Sequence, residues 1–264
     1  MTKTSSPRLV SRAHFQKELD SIADWYSYSG RLPAKLLEQH FHTYLELTFQ
    51  PDRYEIITGG TGRHCCESFV KIAKLYGGIG EETIEWFISA YQAFPDSILG
   101  IKLPVDRIDH AASPTLYVRS KCSRDTVFTW LLDCGMSAGV LNALAESMKD
   151  NNCFYGLGFT ESEGRTLVKT YTIDQVDAAT TGFVSYRIHD NKILPVRKEY
   201  LPEVPIDEFQ PPTSRWAELV DFLESIMNYR TAGHLGYEVD RHGISHLKIY
   251  VERIGAIPTD FEAK

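Results

Sequence analysis

The chain repeats itself. Residues 157–173, LGFTESEGRTLVKTYTI, and residues 235–254, LGYEVDRHGISHLKIYVERI, follow one plan: Leu-Gly-aromatic, an acidic turn containing Gly, then Lys-x-Tyr. Weaker echoes stand at TLYVRSK (115–121) and LPVRKEYL (194–201). A recurring unit of this size is one supersecondary element that cannot bury its apolar face alone. Here the unit is an antiparallel hairpin, because apolar and polar residues alternate with period two on both sides of turn residues. Five hairpins are expected: 53–58 with 65–73 around the turn at GGTG, 98–105 with 115–122, 154–160 with 166–173, 182–189 with 193–201, and 234–240 with 244–253. Ten antiparallel strands in an open sheet leave two edges, so such a sheet curls or closes. The expected fold is α+β: a ten-stranded antiparallel β-barrel of five hairpin repeats inside a ring of helices.

The helices are read from their own period. Phe15, Leu19, Ile22, Ala23 and Tyr26 recur at helical spacing, and a second helix is expected over 34–47, beyond the turn at Gly30 and Pro33. Others are expected over 81–93, over 125–148 with breaks at Gly135 and Gly139, and from Thr213, with Trp216, Leu219, Val220, Leu223 and Met227 as its apolar stripe. The chain then reads as a single domain: N-terminal helices over 1–50, repeats over 51–255 and a frayed tail from 256. A hydrophobic fraction of 43% is enough for a sizeable core.

Charge and composition narrow the function. A net charge of −7 argues against a nucleic-acid binder, which needs a broad basic surface. Any local basic cluster therefore asks for a local anion. Cys65, Cys66, Cys122, Cys134 and Cys153 are odd in number and contain no CxxC, so they read as reduced packing residues of a cytoplasmic protein. The opening residues lack the apolar core of a signal peptide, and no apolar run is long enough to span a bilayer. The glycine run 59–62 lacks the Lys-Ser/Thr ending of a phosphate loop.

The strands carry the chemistry. In 244–252, Leu247, Ile249 and Val251 alternate with His246, Lys248, Tyr250 and Glu252, so the apolar set meets the helices and the polar set faces the lumen. Leu116 and Val118 split in the same way from Tyr117, Arg119 and Lys121. Lys169 with Tyr171 and Lys198 with Tyr200 repeat the pattern, and Lys71 shares a strand face with Glu67 and Phe69. One such strand is an ordinary solvated sheet face. Several at equivalent positions of a repeat converge on one anion, whose charge the cations neutralise while Tyr hydroxyls donate to its oxygens. Neighbouring rings can shelter an organic cation. His40 and His42 sit two apart on an expected helix, a poor spacing for zinc, and Asp106, Asp109 and His110 read as a solvated turn.

In RYEIITGG, VKIAK and the third and fifth hairpins, the sequence resembles the aromatic prenyltransferases of the ABBA, or PT-barrel, fold, and among them the cyanobactin enzymes that prenylate cyclic peptides. The resemblance covers residues 35–255 as a pattern. It implies that Glu55 takes the proton from the acceptor. It implies that Lys71, Arg119, Lys121, Lys169, Tyr171, Lys198, Tyr200, Lys248 and Tyr250 bind the diphosphate. Tyr117, Phe183, His234 and Glu238 then line the prenyl and acceptor pocket. It further implies an allylic donor (dimethylallyl or geranyl diphosphate), a Trp- or Tyr-type side chain of a cyclic peptide as acceptor, Mg²⁺ as an accessory of the diphosphate, and no organic cofactor, nucleic acid or membrane. A small-molecule indole or phenol acceptor and a non-catalytic ligand-binding barrel are the alternatives. One departure is plain: the link 174–181 is too short for a helix pair.

Overall fold

The computed structural model describes residues 12–26, 44–105, 113–148, 152–175, 181–201, 211–226, 233–240 and 243–254. Its elements run α1 (Arg12–Trp25), β1 (Tyr44–Phe49), β2 (Tyr54–Thr61), α2 (Gly62–Tyr76), α3 (Glu81–Ala93), β3 (Ile98–Val105) and β4 (Thr115–Arg119). Next come β5 (Cys122–Ser123), α4 (Arg124–Asp133), α5 (Ala138–Met148), β6 (Cys153–Phe154), β7 (Gly156–Ser162) and β8 (Arg165–Gln175). The last are β9 (Thr181–His189), β10 (Lys192–Leu201), α6 (Ser214–Ile226), β11 (Gly233–Asp240) and β12 (Gly243–Ile254).

Ten strands pair antiparallel in the order β1-β12-β11-β10-β9-β8-β7-β4-β3-β2, and β1 also pairs with β2, so the ladder closes on itself. β5 and β6 form a separate two-stranded sheet. Two hairpins turn on residues with positive φ, Glu163-Gly164 and Asp190-Asn191, the conformation a two-residue turn needs to match strand twist. At the closing seam the Gln50 amide donates to the Leu247 carbonyl at 3.2 Å. The Tyr26 hydroxyl donates to the Gln50 carbonyl at 2.6 Å, tying α1 to the same corner.

Alternate strand residues face outward into two apolar layers. In one, Leu99, Ile101, Leu116, Val118, Leu157, Phe159, Val184 and Tyr186 meet residues of α2 to α5. In the other, Leu45, Leu47, Phe49, Ile56, Ile249 and Val251 meet Leu19 and Ile22 of α1 and Trp216, Leu219 and Leu223 of α6. The intervening strand residues therefore face the lumen.

The structure corrects four expectations. Residues 62–76 form a helix, not a returning strand. Buried Cys65, Cys66, Phe69, Ile72 and Ala73 follow helical spacing, and Gly59 and Gly60 continue strand β2 opposite Gly100 and Leu99. The first hairpin is β1–β2, so Tyr44–Leu47, expected to end a helix, begins the barrel, and the boundary at residue 50 falls with it. Lys121 lies past the end of β4, not on it. Of the two breaks expected in 125–148, the one at Gly135, whose φ is +89°, is present, while Gly139 lies within α5. β8 and β9 pair directly as far as Gln175 opposite Thr181.

Candidate functional site in the barrel lumen

One wall of the lumen, from β12, β1, β2 and β3, is built around Glu55. Its neighbours Tyr54 and Ile56 face the outer layer, so Glu55 points inward, and it is buried. The Lys248 ammonium donates to both carboxylate oxygens, at 3.2 and 3.1 Å, and the Lys102 ammonium donates to Oε1 at 3.3 Å. Side-chain exposures of 4%, 6% and 11% for Lys248, Glu55 and Lys102 place the cluster away from bulk water. Charges taken out of water need such mutual compensation. Thr48 of β1 lies opposite both Glu55 and Tyr250, and its hydroxyl is buried without a hydrogen-bond partner.

The other wall comes from β4, β7, β8 and β9. Lys169 lies directly opposite Gly158 on one side and Arg187 on the other. Like charges placed opposite each other across strands repel, so this pair favours an anion between its members. The Arg187 Nε is buried and has no hydrogen-bond partner. The Tyr117 and Tyr171 rings stand 6.1 Å apart. Glycine at 158 makes room for them, because a Cβ there would lie 3.2 Å from Tyr117 Cε1 and 3.4 Å from Tyr171 Cε2.

The expected residues divide accordingly. Glu55, Lys248 and Tyr250 come together on the first wall, with Lys248 bonded to Glu55. Tyr117, Arg119, Lys169 and Tyr171 occupy inward positions of the second. Lys71 does not belong to the site: it is exposed on α2. Lys121 is exposed beyond β4, its ammonium 5.9 Å from the centroid of the Tyr155 ring. The backbone pairs Lys198 with Ser185 and Glu238, Tyr200 with Phe183 and Gly236, and His234 with Tyr250. The side chains of Phe183, Lys198, Tyr200, His234 and Glu238 lie outside the described residues, as do His40, His42, Asp106, Asp109 and His110 altogether. Lys102 and Arg187 were missed. The signal was the alternation already used for Lys248: Leu99, Ile101 and Leu103 alternate with Lys102, and Val184, Tyr186 and Ile188 with Arg187.

Burial pushes the thiols of Cys65, Cys122 and Cys134 up, and that of Cys66 to about 11. Thiols so shifted are poor nucleophiles at neutral pH. Among the described residues no three His, Cys, Asp or Glu side chains are grouped to hold a metal ion, and no helix is long and apolar enough to cross a membrane.

No family model matches the sequence, and no curated protein matches it. The chain superposes on the crystal structure of AnaPT from Neosartorya fischeri with a TM-score of 0.52, over 93% of this chain and 89% of that one, at 11% identity. AnaPT is an aromatic prenyltransferase of the ABBA fold. This chain has the same fold. The likeness is one of backbone architecture: an antiparallel sheet of many strands with helices packed on its outer face.

Proposed function

We propose that the protein transfers a prenyl group from an allylic diphosphate to an electron-rich aromatic acceptor. One observation carries the reading: a buried carboxylate gripped by two lysines faces a lumen whose other wall sets Lys169 beside Arg187 and two tyrosine rings. The diphosphate takes the second wall, where Lys169, Arg187 and Arg119 supply positive charge and tyrosine hydroxyls supply donors. The allylic C–O bond breaks, and the diphosphate leaves with the electron pair. Tyr117 and Tyr171 present their π faces to the allylic cation. The acceptor attacks from the first wall, a new bond to carbon forms, and the displaced proton passes to the Glu55 carboxylate. A carboxylate suffices as base because the adduct of a ring with a carbocation is a strong acid. Lys102 and Lys248 orient Glu55. A divalent cation that takes part arrives on the diphosphate oxygens.

The finer reading follows the cyanobactin resemblance: dimethylallyl or geranyl diphosphate as donor and a Trp- or Tyr-type ring of a cyclic peptide as acceptor. Mass spectrometry of cyclic peptides, free amino acids and small indoles or phenols, each with both donors, tests it. Prenylated product with release of pyrophosphate is expected. Lys169→Ala lowers turnover by at least about a hundredfold, as expected for lost transition-state charge stabilisation, and Lys248→Ala lowers it by releasing the Glu55 carboxylate that takes the proton. Lys71→Ala, on the outer helix, leaves turnover unchanged. Tight ligand retention without pyrophosphate release from any combination identifies a binding barrel instead.

A further inference from the structure

Among the described residues three buried side-chain polar atoms meet no hydrogen-bond partner: the hydroxyls of Thr48 and Thr170 and the Nε of Arg187. Arg187 belongs to the wall assigned to the diphosphate. Thr170 alternates along β8 with Val168, a residue of the outer apolar layer, so its hydroxyl faces away from the lumen. Thr48 is placed differently. Leu47 and Phe49 on either side of it belong to the outer layer, so its hydroxyl points into the lumen, on a residue 1% exposed. It lies directly opposite Glu55 of β2 and, on its other side, opposite Tyr250 of β12.

Directly opposed residues have Cβ atoms about 4.5–5.5 Å apart. The Thr48 hydroxyl and the Glu55 carboxylate are therefore neighbours, yet they do not bond to each other, and the carboxylate is gripped by Lys102 and Lys248. An occupant that fills the lumen and expels water must satisfy the hydroxyl itself, because a buried hydroxyl left unpaired is costly. A hydroxyl accepts a hydrogen bond as well as donating one. An electron-rich aromatic ring offers C–H along most of its edge and a strong donor at one place, the N–H of a pyrrole-type nitrogen or the O–H of a phenol. We infer that Thr48 reads this heteroatom: its Oγ1 accepts the N–H or O–H hydrogen of the acceptor and so positions the ring beside Glu55. The inference deepens the prenyl-transfer reading and rests on it for the word acceptor. Labour is divided between the two opposed residues. The heteroatom keeps its hydrogen, bonded to Thr48, while the proton displaced from the ring carbon goes to Glu55, and no covalent step takes place at Thr48. An aromatic of the same shape without such a hydrogen leaves the hydroxyl buried and unpaired, which is how a site of this kind rejects it.

The test uses the full chain loaded with dimethylallyl S-thiolodiphosphate, a non-ionising donor analogue, and calorimetric titration with two pairs of probes of matched shape. Indole is compared with benzofuran, and p-cresol with p-xylene, so that one member of each pair carries the N–H or O–H hydrogen and the other does not. In at least one pair the hydrogen-bearing member is expected to bind at least about fivefold tighter, the worth of one buried hydrogen bond, and the pair that shows it tells an N–H handle from an O–H handle. Thr48→Val exchanges the hydroxyl for a methyl group and removes that preference without lowering the thermal midpoint, because the hydroxyl it deletes has no partner in the free protein. Thr48→Ser keeps the preference. Equal affinities within both pairs, a preference that survives in Thr48→Val, or binding of no probe overturns the inference, and with thiolodiphosphate binding intact each of these leaves the prenyl-transfer reading standing. A Thr48-dependent preference with no thiolodiphosphate binding upholds the subsite and removes the prenyl-transfer reading instead.

Discussion

Glu55 is the residue on which the lumen's electrostatics turn, because two ammonium groups are committed to it. Removing one partner from a buried ionic cluster costs more than never having had it, since the remaining charges stay desolvated. Glu55→Ala is therefore expected to lower stability by about 3–5 kcal/mol. Adding Lys102→Met to that variant should recover part of the loss, because one stranded ammonium is replaced by an apolar chain of similar length. Urea denaturation of both proteins checks this, and a double variant less stable than the single one contradicts it. The family resemblance singled out Glu55 and strand alternation singled out Lys248, but neither could show that they bond, since the two positions are 193 residues apart and meet only across β1, which pairs with both of their strands.

At the scale of elements, β7 shows how a strand is fitted to its neighbours. Gly158 and Gly100 both face the lumen beside Tyr117, yet they guard different things. A Cβ at 158 meets ring atoms of Tyr117 and Tyr171, which can rotate away by a few tenths of an ångström. A Cβ at 100 meets the Thr58 carbonyl oxygen at 3.2 Å, part of the adjoining strand's backbone, which cannot move alone. Gly158→Ala is expected to cost under about 1 kcal/mol while lowering turnover through the displaced rings. Gly100→Ala is expected to cost about 1–3 kcal/mol. Thermal melts paired with turnover measurements separate the two effects. Helix α2 was the element misread from sequence. Residues 65, 67, 69 and 71 satisfy a period of two, while 65, 66, 69, 72 and 73 satisfy the helical period, and only packing against β2 and β3 selects the second.

For the molecule as a whole, the buried layer between α2 and the barrel makes stability sensitive to alkali. Burial first, then the charge of Glu67, pushes the Cys66 thiol from its ordinary 9.0 to about 11. The folded state thus holds this proton where the unfolded chain releases it. Below about pH 9 the contribution is fully present, and it is lost as pH rises toward 11, by on the order of 2 kcal/mol. Denaturation midpoints measured between neutral pH and pH 10.5 should fall less steeply for Cys66→Ala than for the parent protein. Parallel slopes would show that another group governs the alkaline limb.

The repeat, the alternation within each strand and the turn residues determined by themselves that this chain makes antiparallel hairpins with a polar and an apolar face, because those signals are local and set by backbone geometry. The same local signals identified α3, α6 and the break at Gly135. What tertiary structure decided was company: which strands close the ladder, that Lys102 and Lys248 share one carboxylate, that Arg187 stands beside Lys169, and that Lys71 faces solvent from a helix. Those outcomes depend on register between segments far apart in the chain. A shift of one residue would exchange every inward side chain for an outward one, and the burial of the whole sheet, not any one segment, selects between them.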